Sequence, residues 1–160
     1  MNNLENKDIL SDDIFVAINM IIDSCPEVVF GGSIALNAVG LLNRKIGDID
    51  VFVSHYSSLA KNGFMSIPIT DSSFPIQSDT VTDINGNQIQ RTSIKVNNIK
   101  VCCFKVDAQI LEHTNFTFKN TTIKIQNVNH AIAAKVAYAK HNSKHKVDLY
   151  DISEVLFNKF

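Results

Sequence analysis

Two carboxylates in this 160-residue chain have the type and spacing that could hold a metal ion. Asp48 and Asp50 stand two residues apart in the run DIDVFV, whose alternation predicts a β-strand with both on one face. Carboxylates on one strand face repel each other unless a cation lies between them. Mg²⁺ takes oxygen ligands, commonly one or two carboxylates plus substrate phosphates. The pair therefore predicts a site for Mg²⁺ or Mn²⁺, the alternatives being solvated aspartates of an edge strand or of a turn before it.

A glycine-rich turn, Gly31-Gly32-Ser33, lies upstream of the carboxylates, between the apolar run EVVF and an apolar segment of helical spacing. The two glycines let the backbone bend sharply and let a ligand approach closely. Amide groups at a helix N-terminus favour an anion, and the Ser33 hydroxyl adds another donor. Gly-Gly-Ser also forms ordinary turns, so this motif alone does not establish a phosphate site. Turn and carboxylates together predict a joint phosphate and metal site.

These motifs resemble those of a known superfamily. Gly31-Gly32-Ser33, Gly40, Arg44 and Gly47-Asp48-Ile49-Asp50-Val51 are similar to the Gly-Gly-Ser and Asp-x-Asp motif of the nucleotidyltransferase (polymerase-β-like) superfamily. Within it, the chain looks like the minimal bacterial and phage enzymes, including abortive-infection toxins. The likeness is tightest over residues 28–53. A weaker match over residues 127–152 is similar to that family's lysine-bearing helix, basic turn and Asp-x-x-Asp.

The resemblance implies a role for each candidate residue. Asp48 and Asp50 would bind the metal ions, and Arg44 would neutralise a phosphate or contact the sugar. Lys135 would reach the triphosphate or the acceptor. The nucleotide-binding residues implied in this way are Gly31, Gly32, Ser33, Arg44 and Lys135. The implied chemistry is a two-metal, in-line displacement at the α-phosphate of a nucleoside triphosphate that releases pyrophosphate. The acceptor would be a hydroxyl of RNA (such as a tRNA end), of a protein or of a small molecule.

One position departs from the family pattern. Active members carry a third acidic residue on a neighbouring strand, and here Ile99-Lys100-Val101 is followed by Cys102. A neutral thiol is a poor Mg²⁺ ligand. Three acidic residues are candidates to replace the missing carboxylate, and spacing selects none of them: Asp83, Asp107 and Glu112. The alternative function is therefore a catalytically inactive protein of this fold that binds a nucleotide, RNA or a partner protein, for instance in phage–host conflict.

Composition predicts one compact domain over residues 1–160, with 45% hydrophobic residues and a net charge of −1. That charge gives no overall attraction to nucleic acid, so RNA would bind at a local basic cluster such as residues 135–146. The alternative interpretation of this cluster is an ordinary solvated surface. Three cysteines make no disulfide framework, which favours the cytoplasm. The polar N-terminus and the lack of a long apolar run predict no signal peptide and no membrane partner. The base, the acceptor and the oligomeric state are not identified by the sequence.

The predicted elements define an α+β fold, a nucleotidyltransferase-like mixed β-sheet with helices packed mainly on one face. Before the sheet's later strands we predict a helix over 11–24, a strand over 28–30, a helix from Ser33 and a strand over 48–53. Residues 55–86 are predicted to be loop-rich, with a short helix at 57–61 and a short strand at 65–70. Hairpins over 87–106 and 109–126 turn at Asn97-Asn98 and Lys119-Asn120. Asn129 and Ser143 are predicted to cap the last two helices, the second ending at Phe157.

Overall fold

A computed structural model of the chain describes residues 12–53, 77–82, 88–105, 111–139 and 143–159. Within them lie a seven-stranded mixed sheet and four helices, so the predicted α+β class is confirmed. The strands are β1 (Val29–Gly31), β2 (Asp48–Val53), β3 (Gln77–Thr82), β4 (Gln88–Val96), β5 (Ile99–Lys105), β6 (His113–Phe118) and β7 (Thr121–Gln126). The helices are α1 (Asp12–Ser24), α2 (Gly32–Ala38), α3 (Val128–Tyr138) and α4 (Ser143–Lys159).

The strand order places the two chemical motifs side by side in the sheet. The order is β3-β4-β5-β2-β1-β7-β6. Strand β2 pairs antiparallel with β1 and parallel with β5, while β1 pairs parallel with β7. Because β1 ends at the glycine turn and β2 begins at the carboxylates, their antiparallel pairing brings the glycine turn beside the carboxylates.

Alternation along β2 separates a buried face from a partly exposed one. Ile49, Val51 and Val53 are fully buried, whereas Asp48 and Asp50 on the opposite face are half-buried. The buried face joins a core that includes residues of α1 and α2, among them Ile18 and Ile34. A second apolar cluster, which joins the α2 region to α3 and α4, consists of Leu36, Leu41, Leu42, Ala131 and Ile152. The helices thus pack mainly on one face, as predicted, and the carboxylates lie on the other face.

Both predicted hairpin turns are confirmed by their backbone angles. Asn97 and Asn98 have φ of 51° and 65°, and Lys119 and Asn120 have φ of 48° and 64°. Two consecutive residues with positive φ give a tight turn whose twist matches that of the strands it joins. Asparagine tolerates this left-handed region better than most residues, which is why these positions can be identified from the sequence.

Two local predictions are wrong. Strand β3 lies inside the stretch predicted to be loop-rich, because QSDTVT lacks an apolar pattern and becomes a strand through its backbone pairing with β4. The cap of α3 is Asn127, not Asn129: its side chain accepts hydrogen bonds from the amides of Asn129 and His130. A capping side chain serves the second and third residues after it, so the cap lies two residues earlier than predicted. The elements predicted at 57–61 and 65–70 lie outside the described residues.

The other predicted helices and strands agree with the structure to within a few residues. Helix α2 begins at Gly32, one residue before the predicted start, and α4 runs to Lys159, beyond the predicted end at Phe157. Among the described helices, none combines the length and the apolar character that crossing a membrane requires.

Candidate functional site

The two carboxylates lie directly beside the glycine turn. Gly31 on β1 is the register partner of Asp50 on β2. The Asp48 side chain is 40% exposed, so solvent and ligands can reach it. The strand pairing therefore brings together the glycine turn and the carboxylates, the two motifs predicted to form one site.

Gly32 makes a close backbone approach to the Asp50 carboxylate. Its φ is +52°, in the left-handed region that glycine adopts without steric cost. A Cβ at this position would overlap Asp50 Oδ2, so even alanine would force the carboxylate to move. The Gly32 amide donates to Gln126 Oε1 at 3.4 Å, which fastens the turn to the end of β7. Gln126 gave no signal in the sequence, because only the sheet brings it to the turn.

Arg44 and Ser33 form the positive side of the site. Arg44 Nη2 donates to Ser33 Oγ at 3.0 Å. A serine hydroxyl has one hydrogen to donate and two acceptor positions, so accepting from Arg44 leaves that hydrogen available for another acceptor. Helix α2 has only seven residues. The hydroxyl and the guanidinium are therefore the groups that would attract an anion here.

A buried carboxylate, Asp148 on α4, fixes Arg44 and Lys135. Arg44 donates through Nε to Oδ1 at 2.5 Å and through Nη2 to Oδ2 at 2.9 Å, and Lys135 Nζ donates to Oδ2 at 2.8 Å. Burial raises the pKa of Asp148, but the hydrogen bonds and positive charges of Arg44 and Lys135 outweigh it and lower the pKa to about 2. One carboxylate between two cations leaves this cluster with a net charge of +1.

The structure thus brings Arg44 and Lys135 together, but through Asp148. The Lys135 side chain is 7% exposed, so its ammonium would have to leave Asp148 to reach a ligand. The nucleotide contacts implied for both residues stay predictions. Asp151, the second aspartate of the Asp-x-x-Asp segment, differs from Asp148: it is exposed and lines an open pocket with Asn43 and Arg44.

Lys144, in the first turn of α4, reaches Asp48 of the acidic pair. Its Nζ lies 3.9 Å from Asp48 Oδ2, and its side chain is 50% exposed. The neighbouring His145 packs its ring against Tyr138, with the ring centroids 5.7 Å apart. Burial lowers the pKa of His145, and the positive charge of Lys135 lowers it further. Lys144 is therefore the charged member of this turn that contacts the site.

Cys102 is the register partner of Asp50 on the adjacent parallel strand β5. Its Sγ lies 4.0 Å from Ser93 Oγ on β4. Burial raises the pKa of the Cys102 thiol, and the Asp50 carboxylate raises it further, so the thiol stays protonated at neutral pH. Of the three acids considered as replacements, Asp83 and Asp107 lie outside the described residues. The third, Glu112, accepts a hydrogen bond from Asn127 Nδ2 at 3.0 Å.

The donor set fits a hard cation with few protein ligands. In the part of the chain that the structure describes, no group of three or more histidine, cysteine, aspartate or glutamate side chains is arranged to hold a metal ion. Asp48 and Asp50 offer two accessible carboxylates on one face, which suits Mg²⁺ when phosphates and water complete its coordination. A soft cation, which favours thiolate ligands, would not be matched by these oxygen donors beside a protonated thiol.

No protein-family model and no curated protein matches the chain. One similar solved structure is the crystal structure of a "putative nucleotidyltransferase" from H. pylori, with 16% sequence identity and a TM-score of 0.41. The match covers 91% of this chain and 78% of the other. A likeness this distant decides neither the family nor the activity of the chain.

Proposed function

We propose that this protein is a Mg²⁺- or Mn²⁺-dependent nucleotidyltransferase that moves a nucleoside monophosphate from a nucleoside triphosphate to a hydroxyl acceptor. The observation that carries the proposal is the pairing of Gly31 with Asp50, which sets two carboxylates beside a glycine turn on one face of the sheet. A cation site next to a phosphate-binding turn is the combination that transfer from a triphosphate requires.

Asp48 and Asp50 would bind the divalent cation through carboxylate oxygens. That cation would neutralise triphosphate oxygens and stabilise the charge that develops at the α-phosphate. Gly32, which lacks a Cβ where Asp50 approaches, leaves room for the carboxylate in its present orientation. The strand fixes the spacing of the carboxylates before any ligand arrives, which lowers the cost of organising the site.

Ser33 and Arg44 would bind the phosphates. The Ser33 hydroxyl has its hydrogen available, because its oxygen already accepts from Arg44. Arg44 in turn is held by two hydrogen bonds to Asp148, so its positive charge stands at a fixed place beside the turn. Preorganised donors and charges of this kind stabilise the charge that develops during phosphoryl-type transfer.

Cys102 favours the second candidate function, a catalytically inactive relative that binds a nucleotide, RNA or a partner protein. The thiol lies beside Asp50, where a further carboxylate would complete the metal ligands. Because its raised pKa keeps it protonated, it is not available to accept the proton of an attacking hydroxyl. The acceptor of an active enzyme would be RNA (including tRNA), a protein or a small molecule, all of which present hydroxyl groups.

The test is transfer of label from each α-labelled nucleoside triphosphate to RNA, protein or small-molecule acceptors with Mg²⁺ or Mn²⁺. We expect D48N and D50N to lose at least about 100-fold of the transfer rate. The exposed Asp23→Asn variant on α1 is the control for loss of a negative charge, and we expect it to keep the wild-type rate.

Thermal denaturation with each triphosphate separates the two candidate functions. A ligand that binds the folded state raises the melting temperature. Stabilisation that requires Mg²⁺ and Asp48, without transfer to any acceptor, would support the inactive binding protein. If no acceptor is labelled and no triphosphate raises the melting temperature, both the transferase activity and a nucleotide-binding role are excluded.

A further inference from the structure

Lys144 and Asp148 lie one helical turn apart on α4 and contact partners of opposite charge. Asp148 is buried and binds Arg44 and Lys135, whereas Lys144 is half-exposed and points its ammonium at Asp48. Residues four apart share one face of a helix. The same face of α4 therefore carries an anchored anion and, beside the acidic pair, an exposed cation.

The ion pairs of Asp148 hold the backbone of α4, whereas the Lys144 side chain on the same helix is half-exposed. Two ion pairs to Asp148, with N–O distances of 2.5 and 2.8 Å, tie α4 to the rest of the site. The Lys144 ammonium, by contrast, lies 3.9 Å from Asp48 and is accessible to solvent. An exposed ion pair at this separation is weak, because water screens it and a long side chain must be held in one conformation. Another cation can displace it at little cost.

We propose that Lys144 occupies the place of the divalent cation at Asp48 and moves onto the polyphosphate when that cation arrives. This inference rests on the proposed function, since it takes Asp48 and Asp50 as the cation site. Without a metal ion, the ammonium partly neutralises two carboxylates that would otherwise repel each other. With the cation and its polyphosphate bound, the carboxylates are neutralised, and the ammonium pairs with phosphate oxygens nearby.

Binding of Mn²⁺ alone tests the first half of the exchange, by calorimetry or by the Mn²⁺ electron paramagnetic resonance signal. We expect K144M to bind Mn²⁺ about threefold more tightly than wild type, because the competing ammonium is gone. K146M is the matched control: Lys146 is an exposed lysine on the same helix, two residues on and turned away from Lys144. We expect its Mn²⁺ affinity to equal that of wild type.

Binding of inorganic tripolyphosphate at saturating Mn²⁺ tests the second half without any choice of base. Here K144M should bind about five- to tenfold more weakly than wild type, because one charged phosphate contact is lost. K146M should again match wild type. Loss of any nearby positive charge favours a cation and disfavours a polyanion, so the signs alone do not identify the exchange. The exchange is identified when K144M shows both effects and K146M, which removes the same charge from the same helix, shows neither.

The D48N variant separates failure of this inference from failure of the cation site. If wild type binds Mn²⁺ and D48N does not, but K144M binds it no more tightly, the exchange is refuted while the cation site stands. An unchanged tripolyphosphate affinity in K144M refutes it equally. If neither wild type nor K144M binds Mn²⁺, the exchange and the proposed cation site both fall.

Discussion

Asp50 and Cys102 are register partners on the parallel strands β2 and β5, so a carboxylate and a protonated thiol stand next to each other on the same face of the sheet. Gly31 on β1 flanks Asp50 on its other side, and Ser93 on β4 flanks Cys102. This row crosses four strands and contains one charged residue, Asp50. A carboxylate at position 102 would therefore add to the negative charge of Asp50 in this row.

Replacing Cys102 by aspartate should strengthen cation binding. A carboxylate beside Asp50 adds an oxygen ligand and a negative charge, and we expect Mn²⁺ affinity to rise about tenfold in C102D. C102N is the control, because asparagine has nearly the same shape and no charge. Calorimetry measures both affinities. A C102D affinity no higher than that of C102N would show that position 102 does not contribute to the cation site.

The close approach of Gly32 to Asp50 predicts that G32A weakens cation binding in addition to destabilising the fold. Alanine at a positive φ costs about 1–2 kcal/mol of stability, and the added Cβ must also displace the Asp50 carboxylate. Gly40 provides the matched control: its φ is +80°, but a Cβ there meets nothing within 4 Å. Denaturation by urea should show that G32A is destabilised at least as much as G40A, whereas Mn²⁺ binding should be weakened only in G32A. Equal Mn²⁺ affinities in the two variants would contradict the role assigned to this contact.

The pKa of Asp148 predicts the acid sensitivity of the fold. Its folded-state pKa is about 2, below the ordinary value of 3.8, so the unfolded chain binds the proton more readily. The contribution of ionised Asp148 to the unfolding free energy is therefore complete above about pH 4 and is lost as the pH falls towards 2. Unfolding free energies of wild type and D148N, measured between pH 7 and pH 2, should differ most at neutral pH and converge in acid. A difference that stays constant down to pH 2 would show that the carboxylate is not stabilised in this way.

Removal of both buried charges, those of Lys135 and Asp148, should destabilise the fold less than removal of the Asp148 charge alone. D148N leaves Lys135 buried without its anion, and we expect it to cost about 3–5 kcal/mol of unfolding free energy. The double variant K135M/D148L removes both charges, and Arg44, whose side chain is 25% exposed, can turn to solvent. Urea denaturation should find the double variant more stable than D148N. The reverse order would show that Asp148 stabilises the fold through partners other than Lys135.

Local sequence patterns determined the elements that carry the candidate site. The alternation of DIDVFV places Asp48 and Asp50 on one strand face whatever surrounds them, because successive side chains of a strand point to opposite sides. Asn97-Asn98 likewise identifies a hairpin turn, because asparagine accepts positive φ. Strand β3 escaped prediction, since its residues carry no apolar pattern and its order comes from pairing with β4.

Only the tertiary structure decided which charged groups meet. Asp148 lies 104 residues from Arg44 in sequence, and no local pattern reveals that its carboxylate is buried between Arg44 and Lys135. The contact of Lys144 with Asp48 and the register of Cys102 with Asp50 likewise depend on how helix and strands pack. Periodicity and turn preference act between near neighbours in the chain, whereas an ion pair depends on distance in space. The sequence therefore determines the types of the site residues and the strand faces on which they lie, whereas the fold determines which groups they pair with.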